Sequence, residues 1–280
     1  MTPVVSTVAE AIRAAAGRLA ATSDTARLDA EVLMAHALGA SRSDLLLRHM
    51  HDPAPARFAA LVERRAGHEP VAYIVGRQEF YGLDFAVSPA VLIPRGDSEV
   101  LVGAALAARP RAQRVLDCGT GSGALLLAVL HGLPQARGTG IDRSAAALAV
   151  AAGNAAALGL AARSALLQRD WTRAGWQAGL GGCDLVLANP PYVETGAELA
   201  PSVRAHEPAG ALFAGADGLD DYRRLLPVLP DLLVPGGVAL VEIGASQAAA
   251  VCALGAAAGF AARVHRDLAG RDRCIELRRE

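Results

Sequence analysis

The chain has 280 residues, room for one large domain or two unequal ones. Hydrophobic residues make up 52% and charged residues 20%, which excludes a chain too polar to bury itself. With 27 basic and 28 acidic side chains the formal net charge is -1, which excludes a global positive field that would hold a polyanion by counterion release.

At the N-terminus, Met1-Thr2-Pro3-Val4 lacks the charged segment and apolar core of a signal peptide. No apolar run of about 18 residues is free of interruption, so a soluble, cytoplasmic protein without membrane contact is expected. From Thr7 to about Gly67 apolar residues recur at helical spacing: Val8, Ile12, Ala15 and Leu19, then Leu28, Val32 and Ala35, then Phe58, Leu61 and Val62. Thr7-Val-Ala-Glu10 is a capping-box sequence, Ser23 or Asp24 is placed to cap the second helix, and Gly39 and Gly67 stand where left-handed C-terminal caps are expected. These signals predict a small helical bundle over residues 1–71. Asp24, Asp29 and Glu31 are read as a solvated face of it in preference to a docking face.

Tyr73-Ile74-Val75 and Phe80 to Val87 are β-prone runs around a glycine-containing turn, which predicts a β-hairpin linker over 72–93. From residue 94 to 280 short apolar runs alternate with helical patterns. Val115–Asp117, Gly138–Asp142, Ala165–Gln168, Asp184–Ala188 and Val238–Glu242 are followed, after a helix from near Ser246 to Gly259, by Ala262–His265 and Cys274–Leu277. This alternation predicts an α/β domain with a mostly parallel sheet of about seven strands. Cys118, Cys183, Cys252 and Cys274 lie far apart in apolar runs, without a C-x-x-C, and are read as buried thiols in a reducing compartment. The seven histidines are assigned to packing or solvent, and no metal is expected.

The first strand of that domain runs into Asp117-Cys118-Gly119-Thr120-Gly121-Ser122-Gly123-Ala124 and then into a helix. Glycines there let the backbone approach a ligand and aim amide N–H groups at it. The turn fits a dinucleotide fingerprint as well as the S-adenosylmethionine turn of methyltransferases. Asp142, ending the next strand, is placed to accept the two ribose hydroxyls that both cofactors carry, and it equally suits a helix N-cap.

Asn189-Pro190-Pro191-Tyr192 decides between the two cofactors. At the carboxyl end of a strand the prolines fix φ and force a rigid turn, leaving the Asn189 side chain and the Pro190 carbonyl as a pair of acceptors in the ligand crevice. A planar NH2 group could donate one hydrogen to each, with Tyr192 covering its face.

These motifs resemble a class I S-adenosylmethionine-dependent methyltransferase of Rossmann-like fold acting on an amino nitrogen. Tyr73-Ile-Val-Gly76, Phe80-Tyr81-Gly82-Leu83, Val91-Leu-Ile-Pro-Arg95, Glu207-Pro208, Asp217-Gly218-Leu219, Glu242-Ile-Gly244 and Asp267-Leu-Ala-Gly-Arg-Asp-Arg273 narrow the resemblance. They are similar to the protein-(glutamine-N5) methyltransferases that modify class I peptide chain release factors, and the similarity covers nearly the whole chain. It implies methyl transfer to the glutamine of a Gly-Gly-Gln motif, with S-adenosylhomocysteine as product and a release factor as protein partner. Asn189, Pro190 and Tyr192 are the implied catalytic residues, with Pro191 completing the substrate contact. Asp117, Gly119, Thr120, Gly121, Gly123, Asp142, Asp170, Trp171 and Asn189 are implied to hold the cofactor, Asp170 near the adenine. Two departures stand out: Gly96-Asp97-Ser98-Glu99 where the family continues Pro-Glu-Thr-Glu, and His206 where an aromatic commonly precedes Glu-Pro. A Ser98 that caps a following helix would make that loop structural rather than substrate-binding.

A glutamine methyltransferase of a ribosomal protein shares the core motifs, but the Asp267–Arg273 segment favours the release-factor type. A nucleic-acid amino methyltransferase fits less well, because no basic stripe interleaves with aromatics. A silent binding module would be expected to lose Asn189 or the glycines. The helical region is expected to recognise the protein substrate, since one glutamine offers little surface for selectivity. Nothing in the sequence demands more than a monomer.

Overall fold

A computed structural model describes residues 6–279. The Met1–Val4 segment read above lies outside the described residues. The chain divides into two units, the first running to Arg77 and including Leu199–His206, the second covering Gln78–Glu198 and the chain from Glu207 onward.

In the first unit the helices Val8–Leu19, Ala26–Leu38, Arg57–Ala66 and Val71–Val75 surround a core that includes Ile12, Leu19, Leu33, Met34, Leu45 and Phe58. The capping box forms: the Thr7 hydroxyl accepts from Glu10 N while the Glu10 carboxylate accepts from Thr7 N. The second helix is entered differently from the expectation. Thr25 holds the N-cap without a side-chain cap bond, and the Ser23 and Thr25 hydroxyls both donate to Asp29, at 2.7 and 2.9 Å.

Asp29 and Glu31 are buried rather than solvated. Arg65 Nε donates to Asp29 at 2.7 Å, and Arg27 and Arg42 donate to Glu31 at 2.6 and 2.9 Å. Burial of a carboxylate is tolerated where guanidinium partners replace its water. Gly39 is left-handed as expected, but Gly67 is not; the positive φ falls one residue later, on His68 at 66°. The Tyr73–Val75 run is helical, not extended. Pro70 sits at the N-cap of the Val71–Val75 helix and left-handed Gly76 ends it, while Ala72, Tyr73 and Ile74 are buried.

The second unit opens with the hairpin β1 (Arg77–Phe80, its first residue belonging to the first unit) and β2 (Leu83–Ala86). Its two turn residues, Tyr81 and Gly82, both have positive φ, 53° and 75°, the combination that matches hairpin twist. The seven-stranded sheet follows: β3 (Arg114–Cys118), β4 (Arg137–Asp142), β5 (Ser164–Gln168), β6 (Cys183–Ala188), β7 (Leu233–Glu242), β8 (Phe260–Arg266) and β9 (Asp272–Arg279). Strand order is β5-β4-β3-β6-β7-β9-β8, parallel from β5 to β7, with β9 antiparallel to both neighbours.

Both faces of the central strands are covered, so their side chains alternate between two cores. Val115, Leu185 and Leu187 join Leu126 and Val129 on one face, while Leu116, Val186 and Ala188 join Tyr222 and Leu229 on the other. Cys118, Cys183 and Cys274 are buried thiols within these layers and Cys252 is partly exposed. The order reverses between β3 and β6, and in open parallel sheets that reversal opens a crevice beyond the strand carboxyl ends. Among the described residues no helix is long and apolar enough to cross a membrane.

Candidate active site

A cavity of about 320 Å³ lies at that crevice, within the range of small-molecule sites. Segments following β3, β4, β5 and β6 line it, together with Val91–Arg95 and Ser98.

The turn after β3 is fixed by backbone bonds to β4 and within itself, and by side chains packed on it. Gly119 N and Thr120 N both donate to the Ile141 carbonyl at 2.9 Å, and Gly123 N donates to the Thr120 carbonyl at 2.7 Å. Gly119, at φ +79°, leaves space that a Cβ would contest with the Trp171 ring at 2.8 Å. Asn154, buried on helix Ala145–Ala157, donates to the Ser122 carbonyl and pairs with both backbone groups of Ala86 in β2. It ties the hairpin to the glycine turn. The turn ends at helix Ala124–Gly132, an amide-rich N-terminus suited to a polar ligand.

Asp142 accepts from Gly121 N at 3.0 Å and from Ser144 N at 2.8 Å. Ser144, not Asp142, is the N-cap of the next helix, accepting from Ala147 N. With each oxygen taking one amide, the Asp142 carboxylate keeps further lone pairs, and the residue lines the cavity.

After β5, Asp170 and Trp171 also line the cavity. Asp170 turns its Oδ1 to Thr172 N and Oγ1, which hold its carboxyl below the usual range. Trp171 Nε1 donates to Asp221 at 2.8 Å, pinning the indole over Gly119.

After β6, Asn189 and Pro191 line the cavity. Of the residues expected in the site, Gly119, Thr120, Gly121, Asp142, Asp170, Trp171, Asn189 and Pro191 meet at this one cavity. Asp117, Gly123, Pro190 and Tyr192 do not line it. Asp117 is wholly buried under the turn, where its Oδ2 accepts from Thr120 Oγ1 at 2.7 Å and its Oδ1 has no partner among the described residues. Gly123 is the left-handed N-cap of the helix beyond. Pro190 is buried. Tyr192 packs against the second core and directs its hydroxyl to Glu242.

Burial raises Asp117 to about 7, opposed by the Thr120 hydroxyl and reinforced by Asp142. Its folded-state value lies above the ordinary one, so its contribution is complete below about pH 4 and is lost as pH rises through 7. Between those limits the wild type should lose stability, on the order of a few kcal/mol at most, and Asp117→Asn should lose less. Urea denaturation at both pH values checks this, and an equal decline in the two proteins removes Asp117 as the cause.

Glu207 is the residue that motif reading underused. Its side chain is 1% exposed, accepts from Ile93 N at 3.3 Å and pairs with the cavity-lining Arg95 guanidinium. It therefore holds the Ile93–Arg95 wall. Glu207→Ala should cost about 1–3 kcal/mol in urea denaturation, because the Ile93 amide and Arg95 lose their acceptor. Arg143, Arg169 and Asp221 also line the cavity, and no local pattern announced them. Ser98 stands at the N-cap of helix Glu99–Ala108 without a side-chain cap bond, and it lines the cavity.

The family model for the PrmC N-terminal domain matches residues 10–76, and that for the methyltransferase small domain matches residues 96–206. The release factor glutamine methyltransferase of Moorella thermoacetica is 47% identical over 98% of this chain and 99% of its own length. That of Cereibacter sphaeroides is 47% identical over 96% of this chain and 98% of its own. Among solved structures, a methyltransferase from Pyrococcus furiosus superposes with a TM-score of 0.52 at 18% identity, covering 70% of this chain and 88% of that one, a likeness of fold.

Proposed function

The chain belongs to the family of release factor glutamine methyltransferases, and from that premise we propose that its cavity transfers a methyl group from S-adenosylmethionine to the side-chain N5 of the glutamine in a release factor's Gly-Gly-Gln motif. The observation that supports the reading best is that Asn189 shares one cavity with Gly119, Gly121, Asp142 and Trp171. A cofactor side and an acceptor side thus meet within one volume.

The residues suit that cofactor. A Cβ on Gly121 would meet nothing within 4 Å, so the backbone there has room for a ligand against it. Asp142 keeps acceptor capacity for ribose hydroxyls, the indole of Trp171 offers an apolar wall, and Asp170 lies where an exocyclic amine could donate. S-adenosylmethionine supplies an electrophilic methyl group on a sulfonium.

An amide nitrogen is a poor nucleophile because its lone pair is delocalised into the carbonyl. No general base with a tuned pKa is needed, because the methylated nitrogen, carrying one proton too many, is a strong acid and gives that proton to water as the thioether leaves. The site has to hold the nitrogen in line at about 3 Å, worth about 7–11 kcal/mol, and to place acceptors for its N–H groups as positive charge develops. Asn189 Oδ1, at the cavity, takes one N–H, while Pro190, buried behind it, and Pro191 keep the turn rigid. Tyr192 supports this segment from behind, and the helical unit supplies recognition of the protein substrate. One copy of the chain suffices, and neither nucleic acid nor membrane takes part.

Mass spectrometry of a purified release factor after incubation with the chain and S-adenosylmethionine tests the reading. One added methyl on the glutamine of the Gly-Gly-Gln loop is expected; an unmodified glutamine would overturn it.

A further inference from the structure

Glu242 ends β7 at the same edge of the sheet as the cavity, yet it is buried and does not line it. Two cavity-lining segments reach it from different directions. Tyr192, following Asn189–Pro191, donates from Oη to Glu242 Oε1 across 3.4 Å, long for such a bond. Ser98, buried and without a side-chain capping bond to its own helix, lies near the same carboxyl and favours its ionised form. Glu242 Oε2 has no partner among the described residues, a costly arrangement for a carboxyl that only fills space.

We propose that Glu242 is a positioning residue for methyl transfer, its carboxyl joining Tyr192 to the Gly96–Ser98 turn and so setting where Asn189 stands relative to the opposite cavity wall. The inference rests on the reading of the cavity as the methyl-transfer site. A competing device exists. Gln247 donates to the Tyr192 carbonyl at 3.0 Å and accepts from Gly244 N at 3.0 Å, a clamp that would suffice if Glu242 were mere packing.

The groups facing Glu242 are Ser98 and Asp97 from the turn, Tyr192, Tyr222 donating to its backbone carbonyl at 2.9 Å, and Arg273 and Cys274 from β9. Arg273 is itself held by Asp97 and Asp267, at 3.0 and 3.2 Å. Burial outweighs the Ser98 and Tyr192 hydroxyls and Arg273 and raises Glu242 to about 7. Near neutral pH the carboxyl therefore changes between a form that donates and accepts and a form that only accepts.

The test uses the full chain and a release factor, with Glu242→Gln, Glu242→Ala, Tyr192→Phe and the Gln/Phe double variant. Glu242→Ala should lower kcat about 10–100-fold, as a misplacement well under 1 Å would, while KM and S-adenosylhomocysteine affinity hold. Glu242→Gln should recover most of kcat and flatten its pH dependence; Asp117 titrates in both proteins, so the difference between them is the readout. The Tyr192 Cζ resonance should titrate near pH 7 in the wild type and not in Glu242→Gln. The double variant should be no slower than Tyr192→Phe alone.

Wild-type kcat at every pH in both Glu242 variants, with an unchanged Tyr192 titration, overturns the inference while leaving the functional reading intact. A wild type that leaves the release factor unmethylated overturns both. Should Glu242→Ala fail to fold, the Gln variant and the resonance decide alone.

Discussion

Asn189→Ala is expected to bind S-adenosylhomocysteine within a few-fold of the wild type and to transfer methyl groups about 10²–10³-fold more slowly. The amide nitrogen gains positive character only on the way to the transition state, so an acceptor for its N–H matters more there than in the bound ground state. Asn189 follows the last residue of β6, Ala188, which pairs with Cys118 of β3 and Val241 of β7, so the strand end is held on both sides. Truncation should therefore remove the acceptor without moving the turn. Single-turnover transfer and calorimetry with the product check the two halves separately, and undiminished transfer by the variant would remove Asn189 from the chemistry.

Gly119→Ala should act in the opposite manner, through the cofactor. The residue sits at φ +79°, which an L side chain adopts only with strain, and the new Cβ would stand 2.8 Å from Cη2 of Trp171. The indole has little freedom to retreat, because its Nε1 is bonded to Asp221. Backbone strain at such a position is of order 1–3 kcal/mol, which corresponds to about 5–150-fold in affinity if relief displaces the turn or the ring. Calorimetry with S-adenosylhomocysteine should find that loss, with transfer at saturating cofactor less affected. Unchanged affinity would mean that the turn does not carry the cofactor.

Much of the cavity was legible because its parts are backbone devices tied to strand ends. The glycine turn after β3, Asp142 after β4 and Asn189 after β6 are local patterns whose meaning depends only on a strand preceding them. The residues that fall outside the cavity share a cause as well. Asp117 and Tyr192 belong to the motifs, but a motif does not say whether a side chain points into a crevice or beneath it. Asp117 turns down to Thr120, and Tyr192 turns back to Glu242. Ser98 has the residue type of an N-cap and stands at one, yet its side chain makes no capping bond.

The alternation of elements, the parallel core and the family are readable along the chain, because hydrophobic period, glycine placement and motif spacing are properties of neighbouring residues. Which ionisable groups are buried together emerges only in the folded chain. Asp29 meets Arg65 from another helix, Glu207 meets Ile93 and Arg95 more than a hundred residues earlier, and Glu242 meets Tyr192 fifty residues away. Tyr73 to Val75, β-prone by composition, is helical because Pro70 and Gly76 set its ends and Ile74 and Val75 pack into the helical core. Partners of this kind come together only when the chain closes, and their energies depend on the water that closure removes.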